Sequence, residues 1–109
     1  METAKYNLTI KAGATFSKQF SLVDENNVIF PLTGYTGSSQ IKTSANGEVL
    51  ATFTVTVDGA GGTFTLSMTA AETEVIAGQN GVYDVYLVSV SDTLCPIEGQ
   101  IEVLAKVTT

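Results

Sequence analysis

The feature that most restricts what this chain can become is a hydrophobic beat of two. Val49, Ala51, Phe53, Val55 and Val57 face one way while Thr52, Thr54 and Thr56 face the other. The same alternation runs through Tyr6, Leu8 and Ile10, through Phe16, Phe20 and Leu22, through Phe64, Leu66 and Met68, and through Tyr83, Val85 and Leu87. Ile97, Ile101, Val103 and Ala105 close the series, with Glu98 and Glu102 among the polar members. Strict alternation means extended strands with one face in a core and the other in water. Lys18 falls on the apolar side of its strand, so that strand must lie near an edge or let the ammonium snorkel.

Strands are expected over 5–11, 15–23, 27–32, 36–43, 48–57, 62–68, 81–90 and 97–107. The weakest is 27–32, because Pro31 restricts it to an edge or an end. Between them stand turn signals: Asp24-Glu25-Asn26-Asn27, Asn46-Gly47 with its tolerance of positive φ, Asp58-Gly59-Ala60-Gly61-Gly62, and Ser91-Asp92. Only Thr69-Ala70-Ala71-Glu72 reads as helical. It matches a capping box, continues through Ile76 and stops at Gly78, giving a strap of about two turns near 69–77. With no helices to wind a parallel sheet, the pattern predicts an all-β, immunoglobulin-like antiparallel β-sandwich of about 7–8 strands in one domain, 1–109. The Cys…Trp…Cys arrangement of antibody domains is absent, so the expectation concerns architecture only.

Composition removes whole classes of function. Apolar residues are 44% of the chain and charged ones 15%, against roughly 25% charged in ordinary soluble domains, which argues for a real core and against disorder. The sequence holds no His, no Arg and no Trp, so histidine-based catalysis and ligation are excluded. Five scattered lysines in a chain of net charge −6 cannot neutralise a phosphate track, so no nucleic-acid partner is expected. The N-terminus lacks a signal pattern and no apolar run approaches the ~20 residues that span a bilayer, so no membrane partner is expected and synthesis is in a cytoplasm. Cys95, the single cysteine, sits in apolar Thr93–Ile97 and reads as a buried, inert thiol.

The remaining candidates for chemistry have bland alternatives. Asp24, Glu25, Asn26 and Asn27 offer oxygen atoms to calcium, but their spacing lacks the alternate positions and distant bidentate carboxylate of a calcium loop, so a solvated turn is expected and no metal. Asp84 could form a carboxylate dyad with Glu98 or Glu102, the arrangement glycosidases use. With no Trp and only Tyr6, Tyr35, Tyr83 and Tyr86 to rim a cleft, alternating solvent-side charges explain these residues better. The glycine-rich 58–62 stretch precedes a strand and carries no Lys, so it is a hairpin and not a phosphate cradle. No catalytic residue and no cofactor is expected. What remains is surface: the neutral stripe Thr52, Thr54 and Thr56, together with Tyr35 and Tyr86, forms the candidate protein interface.

Several stretches carry a family likeness: Leu8-Thr9-Ile10-Lys11-Ala12-Gly13-Ala14-Thr15-Phe16, Phe20–Asp24, Pro31-Leu32-Thr33-Gly34-Tyr35-Thr36, Gly62–Thr73 with its Thr-Ala-Ala-Glu-Thr strap, Gly81-Val82-Tyr83-Asp84-Val85, and Glu98–Val103. In this order they resemble bacteriophage virion structural proteins with an immunoglobulin-like domain, like that at the N-terminus of phage upper baseplate proteins. The resemblance implies a non-catalytic sandwich that docks onto other virion subunits, and carries over no catalytic residue. Upper baseplate proteins continue into further domains, whereas this sequence ends at Thr109, which keeps a capsid role open. The expectation is a virion structural protein, homo-oligomeric in an assembly built in the host cytoplasm, with tail, baseplate or capsid subunits as partners. It sits in the tail or baseplate, or else decorates the head. A glycan-binding module using Tyr35, Tyr83 or Tyr86 is the more distant alternative, favoured if two of these tyrosines share an exposed face.

Overall fold

The structure is a computed structural model that describes residues 3–107, so the ends of the 1–109 expectation lie outside the described residues. Nine strands and one helix follow in order: β1 (Ala4–Lys5), β2 (Leu8–Lys11), β3 (Phe16–Ser21), β4 (Thr36–Lys42), β5 (Val49–Asp58), β6 (Thr63–Met68), α1 (Ala70–Val75), β7 (Asn80–Val88), β8 (Thr93–Leu94) and β9 (Ile97–Leu104). They form a curled sheet in the order β1-β9-β7-β4-β5-β6-β3, with β2 also on β9 and β8 on β7. The fold is the expected β-sandwich.

One long strand makes the curl. The first half of β5 pairs with β4, Phe53 opposite Ser39, and the second half pairs with β6, Thr54 opposite Ser67. β5 thereby leaves one sheet for the other halfway along, one of the ways a strand turns the corner of a sandwich. Between the layers lie Ile10, Ile41, Val85, Leu87 and Ile101 from the β2-β9-β7-β4 side, facing Phe64, Leu66 and Met68 of β6. Phe20 stacks on Phe64 at 5.3 Å between centroids, and Phe53 meets Tyr83 edge-on at 6.2 Å.

The structure departs from the expected strands in five places. Residues 27–32 form no strand: Val23 and Ile29 make an isolated bridge, and Leu32 turns into the core. The expected 5–11 strand is broken at Tyr6-Asn7, where Asn7 Oδ1 replaces a backbone acceptor for the Gln100 N–H at 3.0 Å. Both pieces run parallel to β9, an exception to the antiparallel rule. In β5 a register slip opposite Ile41 and Lys42 leaves Val49 exposed and packs Leu50 against the core, while Ala51, Phe53, Val55 and Val57 keep the inward face read from the alternation. The last strand ends at Leu104, and Thr93–Leu94 is an added one.

The Asn46-Gly47 turn forms for a different reason from the one expected. Neither residue has positive φ. The Gly47 N–H closes a turn onto the Ser44 carbonyl, and a Cβ at Gly47 would overlap Thr43 Oγ1, so close approach demands the glycine. The capping box is present as read: the Thr69 hydroxyl accepts from Glu72 N–H at 3.2 Å, and Glu72 Oε1 accepts from Thr69 N–H at 2.8 Å. Lys18 sits half-buried on edge strand β3, its Nζ 5.6 Å from the Tyr6 ring centroid.

Candidate interaction surface

The solvent side of the β9-β7-β4 sheet is concave. A groove of about 930 Å³ runs across it. Antiparallel register sets Asp84 opposite both Glu98 and Gln40, so the three polar side chains line up across adjacent strands. Glu98 is held by Lys5, whose Nζ donates to Oε1 at 2.9 Å. Glu102 pairs with Asn80 further along and does not line the groove. Of the two dyads considered, the fold brings together Asp84 and Glu98, and an ammonium occupies one of the pair. Open, polar and already ion-paired, the groove offers hydrogen bonds to a ligand or partner.

The tyrosines part company. Tyr86 is exposed at the groove. Neighbouring Cys95 and then Asp84 hold its phenol above the usual value. Tyr83 points the other way, into the core, and its hydroxyl donates to the Tyr6 carbonyl at 2.5 Å. Burial, and secondarily Tyr6, pushes it up to about 12. Tyr35 is half-buried at the end of the sandwich, donating to Asp92 Oδ2 at 3.4 Å. No two of Tyr35, Tyr83 and Tyr86 share an exposed face, so the condition that favoured glycan binding is not met.

The threonine stripe is divided by the switch in β5. Thr52 lies opposite Gln40 and lines the groove. Thr54 and Thr56 lie on the three-stranded side, in rows fixed by register: Ser17-Ser67-Thr54, then Gln19-Thr65-Thr56, then Ser21-Thr63-Asp58. Asp58 is the one charge on that grid. Sequence reading found the β5 threonines but not the grid, because pairing between strands far apart in sequence decides which rows meet.

Two further positions take the readings given them, and Cys95, read as buried, is only partly so. Asp24 Oδ1 accepts from the N–H groups of Asn26 and Val28 at 2.8 and 3.0 Å, an Asx turn. Residues 59–62 form the β5–β6 hairpin. Cys95 is half-buried, and burial raises its thiol despite a hydrogen bond from Thr3. Two residues with structural weight escaped the sequence reading. Ser39, buried in β4, donates to the Asp84 carbonyl at 2.6 Å and supports the groove floor. Thr73, fully buried in α1, ties the helix to the crossover between β2 and β3.

A search among characterised proteins finds no match. A family match nevertheless runs over residues 2–103, almost the whole chain, and on it this protein belongs to the LtfC-like β-sandwich domain family, a phage-associated family named for the tail-associated protein LtfC.

Proposed function

We propose that the chain is a non-catalytic structural protein of the bacteriophage virion, assembled in multiple copies at the tail or baseplate through contacts between its faces, its loops and other virion subunits. Membership of a phage-associated family carries this reading. The kinship with the N-terminal domain of upper baseplate proteins is part of the proposal and rests on the motifs, such as Leu32-Thr33-Gly34-Tyr35 and Thr69–Thr73. The surface is compatible with it. The Ser, Thr and Gln grid on the three-stranded side carries little charge that a partner would have to strip of water.

Mass spectrometry of purified virions with absolute quantification tests the proposal. A copy number following three-, six- or twelvefold symmetry supports the tail or baseplate. A number on the order of hundreds moves the chain to the head as a decoration protein. Absence from particles, or a single copy, overturns the structural reading altogether.

A further inference from the structure

The Asn46-Gly47 pair that marks the β4–β5 turn occurs a second time in the chain, as Asn80-Gly81. Such a pair carries a chemical liability. The glycine amide nitrogen loses its proton to solvent base and closes onto the asparagine Cγ; a C–N bond forms, and the side-chain nitrogen leaves as ammonia. The resulting succinimide takes up water at either carbonyl, giving aspartate or isoaspartate with no oxidant or cofactor. Glycine permits the closure because no Cβ hinders its nitrogen.

Exposure of the asparagines does not separate the two pairs, since both side chains lie in solvent. The next amide does. Gly47 belongs to the surface connection between β4 and β5, and its N–H donates to the Ser44 carbonyl at 2.9 Å. A bond within a surface turn opens at little cost, which frees the nitrogen to rotate toward Cγ. Gly81 instead lies in β7, a strand flanked by β9 and β4. Beside it the Val103 N–H donates to the Gln79 carbonyl at 3.1 Å, so by antiparallel alternation Gly81 and Ile101 form the next pair to exchange both backbone bonds. A Cβ at Gly81 would also strike the Lys42 carbonyl of β4, so the backbone is clamped from that side too. Attack by the Gly81 nitrogen requires β7 to part from β9, an opening that costs far more than releasing a turn.

We infer that Asn46 is a site of spontaneous deamidation in the folded chain and that the fold spares Asn80. The inference is independent of the virion reading. Isoaspartate adds one carbon to the main chain between residues 46 and 47, and the turn has no slack for it: a single Cβ added at Gly47 already overlaps Thr43 Oγ1. The bonds that close the hairpin, Thr43 N–H to the Glu48 carbonyl at 3.0 Å and Glu48 N–H to Thr43 Oγ1 at 3.2 Å, must then lengthen or break. Lys42 and Ala45 line the groove on that side. Modification therefore loosens the groove's rim and adds a carboxylate to it, and a chain that is not resynthesised accumulates the change with age.

The test holds the folded wild-type chain in mildly alkaline buffer at physiological temperature. Samples taken over time are digested with pepsin at low pH, where the reaction stops, and sequenced by tandem mass spectrometry; labelling by an isoaspartyl methyltransferase counts isoaspartate. Position 46 should convert at least about tenfold faster than position 80. In denaturant the two should convert at comparable rates, which assigns the contrast to the fold. Equal rates in the folded chain, or a gap that persists in denaturant, overturns the inference. Asn46→Gln should remove most of the isoaspartate label, and a label that persists places the reaction elsewhere and refutes the assignment. If that variant fails to fold, the position-by-position rates of the unaltered chain decide.

Discussion

Thr73→Val isolates one hydroxyl that closes the sandwich. Thr73 is fully buried, and its Oγ1 accepts from the Gly13 N–H at 3.0 Å while lying 2.9 Å from the Ala14 carbonyl and 3.0 Å from the Ala70 carbonyl. Gly13 and Ala14 form the crossover by which the chain leaves β2 on one sheet for β3 on the other, so this hydroxyl joins α1 to both layers. Valine keeps the shape and nearly the same helix propensity, but leaves the Gly13 N–H without an acceptor. A buried unsatisfied group costs about 1–3 kcal/mol. For a chain of this length that is a fall in Tm of about 4–12 °C. Thr73→Ser keeps the hydroxyl and loses one methyl, a cost near 1 kcal/mol. Thermal and denaturant unfolding should therefore rank wild type above Ser and Ser above Val, with Gly13 amide exchange accelerated only in Val. If Val matches or exceeds Ser, packing and not hydrogen bonding holds the crossover, and the reasoning fails.

Three other perturbations probe separate parts of the structure. A Cβ at Gly37 would drive into Val55 Cγ1 and crowd Leu87, so Gly37→Ala should cost about 1–3 kcal/mol, partly recovered in the Gly37→Ala/Val55→Ala double variant measured by denaturant unfolding. Tyr83 keeps its proton in the folded chain from pH 10.0 to about 12, where an unfolded chain has released it. Its contribution is complete below pH 10.0 and is lost as pH rises through about 12; Tyr83→Phe should flatten that alkaline limb of stability and remove the part of the tyrosinate absorbance that develops near pH 12 in the wild type. Because burial raises the Cys95 thiol, a disulfide reagent at neutral pH should modify the folded chain at least about tenfold more slowly than the unfolded one, and equal rates would contradict the burial.

How much could be read from the sequence depended on whether the governing interaction was local. The capping box over Thr69–Glu72 and the Asp24 turn are set by neighbours within four residues, and both formed as read. β6 followed from alternation because it runs between β3 and β5, and β7 because β4 stays beside it from Val82 to Val88. β5 formed as read from Ala51 to Val57, but its register slip beside Leu50 and its change of sheet after Phe53 come from β4 and β6 and were not legible within Val49–Asp58. The same holds for the surface. Asp84 could be suspected of a carboxylate neighbour, but choosing Glu98 over Glu102 needed the β7–β9 register. Thr73 looked like one more helix residue because its partners lie some sixty positions away.

The placement of lysine bears on how such a chain can assemble. The sheet has two open edges, β1/β2 and β3, and an unpaired edge invites another strand. Three of the five lysines stand there: Lys5 and Lys11 on the first edge, Lys18 on the second. Each is held in place, by Glu98, by the Ala105 carbonyl and by the Tyr6 ring respectively. A strand approaching either edge must displace these contacts and desolvate an ammonium, while the nine-residue polar grid beside β3 carries only one carboxylate. Edge pairing is thereby penalised where faces and loops are not. Two copies of the chain at high concentration should stay apart instead of growing β-fibres, and replacing Lys5, Lys11 and Lys18 together with threonine should promote concentration-dependent association measurable by light scattering. If the triple variant remains as monodisperse as the wild type, the edges are protected by something other than these charges.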